Sequence, residues 1–416
     1  MVMKSTRPID FEPRKHFLAL DSWRGICACL VVFLHVNAFS HAYFTPITRN
    51  AGLFVDFFFV LSGFVIAANY HARFQQGHSL GKFMFLRLGR LYPIHLVMLI
   101  AYIVFEFAFA DMISAVNANA RQPFTGAMSI EAIWVNLFML QGVGVLDYAS
   151  WNFPSWSVST ELLAYFLFAL GAIYLRKSLW AILALLVIIP PFWIFGMADG
   201  LLDNRFMGLA RCLAGFSAGV LCLHAYRIAE HRLRRWSVAF ATLMEACAIS
   251  WVLVYLNNAE GALTYALPIP FFFIAVLVFA NQRGLISRML MVRPLVLIGT
   301  LSFSIYMIHA FVTARLLNAM QLVAGKLNLD IFTFYVKDDG SQIRMVGKEL
   351  WQGDLVYAAM LIAVIGASFF TYQFVEKPSR DWFRKIADRI WHGGLTSDQI
   401  ADDYAKKQPA TKMAAG

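Results

Sequence analysis

Long apolar stretches separated by short polar segments make up most of the chain. A helix needs roughly 20 apolar residues to cross the hydrocarbon core of a bilayer, and on that rule the pattern predicts about ten membrane-spanning helices. They cover residues 18–39, 51–70, 92–110, 156–175, 178–197, 207–225, 237–256, 263–281, 295–318 and 355–375. The predicted fold is therefore all-α, a polytopic bundle of transmembrane helices.

The segment 130–146 is apolar but short, and Gly142 and Gly144 interrupt it. We expect a re-entrant or interfacial helix there, because one more full span would invert the topology of everything that follows. The short loops assigned to the cytoplasm hold most of the basic residues, which places both termini inside by the positive-inside rule. The predicted parts are a cytoplasmic segment 1–17, a transmembrane domain 18–380 and a cytoplasmic polar tail 381–416.

Composition supports this class of protein. The chain is 60% hydrophobic and 14% charged, whereas soluble proteins average about 45–50% and about 25%. The net charge of +10 comes from basic loops rather than from a basic face interleaved with aromatic residues, so nucleic acid is not expected as a partner. The five cysteines lie in apolar stretches without metal-ligand spacing, and no metal site is predicted.

Arg24 and His35 lie in the first apolar stretch, eleven positions apart. At about 100° per residue both side chains fall on one face of a helix, roughly 16 Å apart along its axis. An ionisable residue in a membrane span is costly, by about 2.5–3.5 kcal/mol for an arginine at mid-bilayer, and is a functional candidate for that reason. With Asp21 one turn before Arg24, the pair predicts a polar path along the helix. A neutral imidazole at the outer end of that path could act as a general base.

Other polar residues allow two interpretations each. Arg87 and Arg90 share a helix face, which suits phosphate binding but also suits an ordinary cytoplasmic anchor. Glu161 either complements the dipole of the helix that begins there or pairs with a base near the depth of His35. Asp56 is the only acid of the second span, and we expect it to orient a basic partner.

Polar residues also form a stripe along the ninth span. Ser302, Tyr306 and His309 fall on one side of the predicted helix. No Gly-rich phosphate loop accompanies them.

Taken in order, these residues resemble acyltransferase family 3, a family of integral membrane O-acyltransferases. The matching motifs are Leu20-Asp-x-x-Arg24-Gly with His35, Val55-Asp56-Phe-Phe-Phe-Val-Leu-Ser-Gly-Phe64, Arg87-x-x-Arg90-Leu-Tyr-Pro93, Trp156-Ser-x-Ser-x-Glu161, Ser302-x-Ser304-x-Tyr306-x-x-His309 and Glu376-Lys-Pro378. Each motif alone is weak, but the ordered set is specific and spans about residues 18–380. Trp23 stands where the family more often has leucine.

The resemblance implies transfer of an acyl group, most often acetyl, from cytoplasmic acyl-CoA to a hydroxyl of a glycan or lipid-linked sugar outside. His35 would be the general base, with Arg24 and Glu161 as further catalytic residues. The resemblance places Arg87 and Arg90 at the charged part of CoA, and we group Ser302, Tyr306 and His309 with this donor-binding set. Asp21, Asp56, Trp156 and Glu376 would support the site.

The same resemblance implies the bacterial inner membrane as the location and polysaccharide-assembly proteins as further partners. A proton-coupled transporter is an alternative, since it too would carry membrane-embedded charges. Its usual repeated halves with broken helices are not found in the sequence. A structural scaffold is a second alternative, but it leaves the cost of Arg24 and His35 unexplained.

Overall fold

The computed structural model describes residues 16–116, 122–146, 148–196, 204–260, 264, 268–336 and 340–391. Most of the predicted N-terminal segment 1–17 and the end of the predicted tail, residues 392–416, lie outside the described residues.

Helices make up nearly all of the described structure. They are α1 Leu18–Leu34, α2 Pro46–Arg49, α3 Phe54–Gln75, α4 Leu80–Val116, α5 Ile130–Leu137, α6 Trp156–Tyr174, α7 Leu179–Gly196, α8 Asn204–Leu233, α9 Val238–Asn257, α10 Pro268–Ala280, α11 Leu285–Leu290, α12 Arg293–Lys326, α13 Leu350–Thr371 and α14 Lys377–Trp391. Short 3-10 turns cover Ala51–Leu53, Gly126–Met128 and Phe153–Ser155, and a π-helical turn, Tyr372–Glu376, joins α13 to α14.

Each predicted span overlaps one of these helices. Within the described residues, 7 helices are long and apolar enough to cross a membrane, and two shorter apolar helices lie at Leu179–Pro191 and Pro268–Ala280. Helix α1, with 17 residues, is slightly too short to be counted among the seven. The chain is thus a polytopic helical membrane protein, while the count of about ten spans and the side of each terminus stay predictions.

One detail differs from the all-α prediction. Residues Phe332–Val336 (β1) and Gln342–Val346 (β2) form an antiparallel hairpin in which Phe332 pairs with Val346. The run Phe332-Thr-Phe-Tyr-Val336 is rich in residues that favour strands, a signal that counting apolar stretches does not register. Helix α5 has 8 residues and is about 12 Å long, too short to cross a bilayer.

Helix α14 continues across the predicted domain boundary at residue 380. It packs along α4, where Lys82 pairs with Asp388 at 3.0 Å and the ring of Phe383 lies directly against Gly89. Residues 381–391 are therefore part of a packed helix.

The packing of α1 against α12 positions the candidate site. Gly25 and Gly299 allow the two backbones to meet, since a Cβ added at Gly25 would lie 2.6 Å from the Gly299 nitrogen. Small residues permit such close approach between membrane helices. The polar face of α1 predicted from the sequence is thereby pressed against the polar stripe of α12.

Candidate active site

Arg24, in the N-terminal half of α1, is fixed to α12. Its Nε donates to Ser302 Oγ at 2.7 Å, and its Nη2 donates to the Gly299 carbonyl at 3.0 Å. Asp21, one turn earlier, pairs with the guanidinium at 3.2 Å. Asp21 and Ser302 therefore set the orientation of Arg24.

A cavity with about 800 Å³ of empty space, part of it open to solvent, lies beside Arg24. We call it the arginine cavity. Its polar lining combines residues from five helices: Arg24, Ser62, Arg87, Arg90, Ser157, Glu161, Tyr165, Ser302 and Tyr306. The structure thus brings together six residues that the sequence analysis singled out from four separate motifs.

Arg87 and Arg90 keep donor groups available in this cavity. Arg87 Nη2 donates to the Tyr70 hydroxyl at 3.0 Å, but its buried Nε has no hydrogen-bond partner. In the part of the chain that the structure describes, Arg90 makes no side-chain hydrogen bond, although it lies within electrostatic range of Glu161, Glu376 and Asp21. Both guanidiniums can therefore accept an anionic ligand without first losing a strong partner.

Glu161 belongs to the arginine cavity. Its carboxylate accepts hydrogen bonds from the hydroxyls of Ser62 and Tyr165. The pairing with a base considered from the sequence is not seen, since no hydrogen bond joins Glu161 to His35 among the described residues. The reason is that Ser62 and Tyr165 face Glu161 from α3 and from its own helix. The sequence alone assigns a role to neither Ser62 nor Tyr165.

His35 ends α1 and contacts a second histidine. Its Nδ1 lies 2.9 Å from the Val31 carbonyl oxygen and 3.1 Å from Nε2 of His309. The other nitrogen of His309, Nδ1, lies 2.7 Å from the Tyr306 carbonyl oxygen. His309, which we had grouped with the donor-binding residues, is therefore placed against His35 instead of among the arginines. We call His35 and His309 the histidine pair.

Tyr306 lies between the arginine cavity and the histidine pair. It lines the cavity, its ring centroid is 5.8 Å from that of His309, and its hydroxyl lies 2.8 Å from Ser157 Oγ. His35 also contacts the ring of Phe153 at a centroid distance of 4.9 Å. The two polar regions are thus neighbours along α12.

The supporting acids have basic or polar partners. Buried Asp56 accepts two hydrogen bonds from Arg211, from Nε at 3.1 Å and from Nη2 at 2.6 Å. Arg211 lies 5.8 Å from the ring of Trp156. Glu376 accepts a hydrogen bond from Ser304 at 2.8 Å. The expectation that Asp56 orients a basic partner thus has a structural counterpart in Arg211.

The match to a protein family gives the class of this protein. The acyltransferase domain model of acyltransferase family 3 matches residues 17–373. The chain belongs to this family and is a membrane acyltransferase, an assignment that favours neither the transporter nor the scaffold alternative.

A comparison with individual proteins finds a relative that matches part of the chain. Over 174 residues the chain is 29% identical to a protein of Rhizobium radiobacter named Protein 2 in picA locus, covering 40% of this chain and 84% of the relative. No solved structure matches the chain.

Proposed function

We propose that this acyltransferase moves an acetyl group from cytoplasmic acetyl-CoA to a hydroxyl of a glycan or lipid-linked saccharide on the outer side of the bacterial inner membrane. The observation that carries the proposal is the arrangement along α1 and α12, with a cavity lined by three arginines at one end and the histidine pair at the other.

The arginine cavity suits the charged part of acyl-CoA. Arg24, Arg87 and Arg90 all line it, and within the described residues the last two have donors that no protein group accepts. Guanidinium groups bind phosphate through paired, charge-assisted hydrogen bonds. Polar side chains of Ser62, Ser302 and Tyr306 extend the lining toward α12 and offer partners to the amides of a pantetheine arm.

The length of α1 suits delivery of the thioester to His35. Arg24 and His35 are about 16 Å apart along the helix, a separation that an extended pantetheine arm can cover. With its phosphates held at the arginines, acyl-CoA could present its reactive carbonyl near the histidine pair.

His35 then serves as the general base. It takes the proton of the acceptor hydroxyl as that oxygen attacks the thioester carbonyl, which forms the new C–O bond. When the C–S bond breaks, the proton passes from His35 to the departing CoA thiolate. The ester and free CoA are the products, and no other reactant is consumed.

The sidedness of the reaction follows from the predicted topology. Positive-inside counting assigns Arg87 and Arg90 to the cytoplasmic side and His35 to the opposite side. Acyl-CoA carries several negative charges and does not cross a bilayer, so we expect its head to stay inside while the acyl group is delivered outward.

Oriented membrane vesicles test this proposal. Radiolabelled acetyl-CoA should support glycan acetylation when it is supplied to the cytoplasmic face, and only glycan on the external face should be labelled. Equal labelling when the donor is supplied only to the external face would refute the cross-membrane route. Absence of any acetyl transfer, with a well-folded protein and extracts of cell-envelope saccharides, would refute acetyl-CoA as the donor.

A further inference from the structure

The hydrogen bonds around the histidine pair assign its protons. The Tyr306 carbonyl can only accept, so the His309 Nδ1 that lies 2.7 Å from it must carry a hydrogen. His309 is fully buried, and a second proton would place an uncompensated charge there at high cost. His309 is therefore neutral, and its Nε2 presents a lone pair to His35.

The same reasoning fixes the tautomer of His35. Its Nδ1 faces two acceptors, the Val31 carbonyl at 2.9 Å and the His309 Nε2 lone pair at 3.1 Å. Without a hydrogen on Nδ1, the lone pairs of His35 Nδ1, the Val31 carbonyl oxygen and His309 Nε2 would face one another with no hydrogen between them. His35 Nδ1 therefore carries the hydrogen, and in the neutral ring its Nε2 is left with the free lone pair.

We propose that His309 is a positioning residue for the acyl transfer: by accepting the Nδ1 hydrogen it holds His35 in the orientation and tautomer in which Nε2 is the base. This inference rests on the proposed function of His35. It assigns His309 a part in proton transfer. In the sequence analysis, His309 is instead grouped with the residues that bind the donor.

The pair also stabilises the charged intermediate state. After Nε2 has taken the proton of the acceptor hydroxyl, His35 is an imidazolium whose Nδ1–H points at the Val31 carbonyl and at the neutral His309. A hydrogen bond from a charged donor is stronger than one from a neutral donor, so the contact gains strength as the reaction proceeds. Stabilisation that grows toward the transition state raises kcat rather than lowering KM.

Three variants of the full-length protein test the inference. His309→Ala removes the acceptor, whereas His309→Gln keeps an amide oxygen that can accept the Nδ1 hydrogen but cannot fix it as rigidly. His71→Gln is the matched control, because His71 is a mostly buried histidine on α3 that contacts Gln75 rather than the site. Steady-state acetyl transfer gives kcat and KM for acetyl-CoA in each.

We expect His309→Ala to lower kcat about 10- to 100-fold, by analogy with the loss seen when the partner that orients a metal-bound histidine is removed, with KM for acetyl-CoA changed less than about twofold. His309→Gln should recover part of the loss, and His71→Gln should match wild type. Unchanged kcat, a rise confined to KM, or equal losses in the Ala and Gln variants would each overturn the positioning role.

A chemical probe separates this inference from the proposed function. Diethylpyrocarbonate reacts with an unprotonated imidazole nitrogen, and mass spectrometry of the peptide that contains His35 gives its rate of modification without any turnover. We expect the rate to fall several-fold in His309→Ala and to be partly restored in His309→Gln. Equal rates in wild type and His309→Ala would overturn the link between the two histidines, whether or not the protein uses acetyl-CoA.

Discussion

The arginine cavity and the histidine pair share α1 and α12 but are built differently. Five helices supply the polar lining of the cavity, and its guanidinium donors outnumber their protein partners. In the histidine pair, two side chains and two backbone carbonyls account for three of the four ring nitrogens. A surplus of donors suits a ligand with many acceptor atoms, whereas a pair with one nitrogen left open suits the movement of a single proton.

The largest effect is expected at the histidine pair. His35→Ala should lower kcat for acetyl transfer about 10²- to 10⁴-fold, the usual contribution of a general base. Binding of acetyl-CoA, measured by calorimetry, should stay within about twofold of wild type, because His35 does not line the cavity. Mass spectrometry of glycans from cells that express the variant gives an independent readout.

The matched control for this test is His71→Gln, which should transfer acetyl at the wild-type rate. Near-normal glycan acetylation in a well-expressed His35→Ala variant would remove His35 from the reaction and leave the cavity without an assigned base.

The next largest effect is expected at the charge of Arg211, which lies in neither the arginine cavity nor the histidine pair. Arg211 forms a bidentate pair with Asp56, whereas Arg87 and Arg90 have no carboxylate hydrogen-bonded to them in the described part of the chain. Asp56→Ala should lower the free energy of unfolding by about 3–5 kcal/mol, because it removes the carboxylate partner of a buried arginine. Thermal unfolding in detergent, followed by size-exclusion chromatography, measures the loss.

Asp354→Ala provides the contrast for that test, since the His41–Asp354 pair is largely exposed and should contribute no more than about 1 kcal/mol. Equal stability of the two variants would show that the Asp56–Arg211 pair does not anchor α3 to α8.

Part of this arrangement could be predicted from the sequence. The spacing of Arg24 and His35 predicted a common face on α1, and both residues do contact α12, through Ser302 and His309. Such periodicity is local information that a helix preserves. The existence of each predicted helix followed from apolar length in the same way.

The partners of Glu161 and the role of His309 could not be predicted in this way. Ser62 and Glu161 lie on different helices, and no local pattern says which residue of α3 faces which residue of α6. The motif around His309 placed it beside Tyr306, which lines the cavity, but only the packing of α1 shows that its ring meets His35. Contacts between distant segments depend on the rotation and depth of whole helices.

A smaller effect is expected in the arginine cavity, because binding is shared among several donors. Arg87→Ala with Arg90→Ala should weaken acetyl-CoA binding about 10- to 100-fold, as expected when charge-assisted hydrogen bonds to phosphate are lost. The kcat at saturating donor should change much less. Calorimetry with acetyl-CoA and steady-state kinetics measure the two quantities.

Replacing both arginines by lysine should recover only part of the affinity, because lysine keeps the charge but not the bidentate geometry. Arg232→Ala removes an exposed arginine at the end of α8 and serves as the control. Unchanged donor affinity in the double alanine variant would return Arg87 and Arg90 to the role of topology anchors.

The smallest effect tests how firmly the C-terminal end of α1 is held in place. The hydroxyl of Tyr357, on α13, lies 3.0 Å from the Val36 carbonyl and 3.2 Å from the Phe33 carbonyl, on either side of His35. Tyr357→Phe removes this donor while keeping the ring, and should cost about 0.5–1.5 kcal/mol of stability. If the histidine pair depends on exact placement of His35, kcat should also fall, by at most about 2- to 12-fold, since 1.4 kcal/mol corresponds to a factor of 10. Tyr372→Phe is the control, because the Tyr372 hydroxyl makes no hydrogen bond within the described residues. A loss of stability without any change in kcat would mean that the contact with His309 alone positions the base.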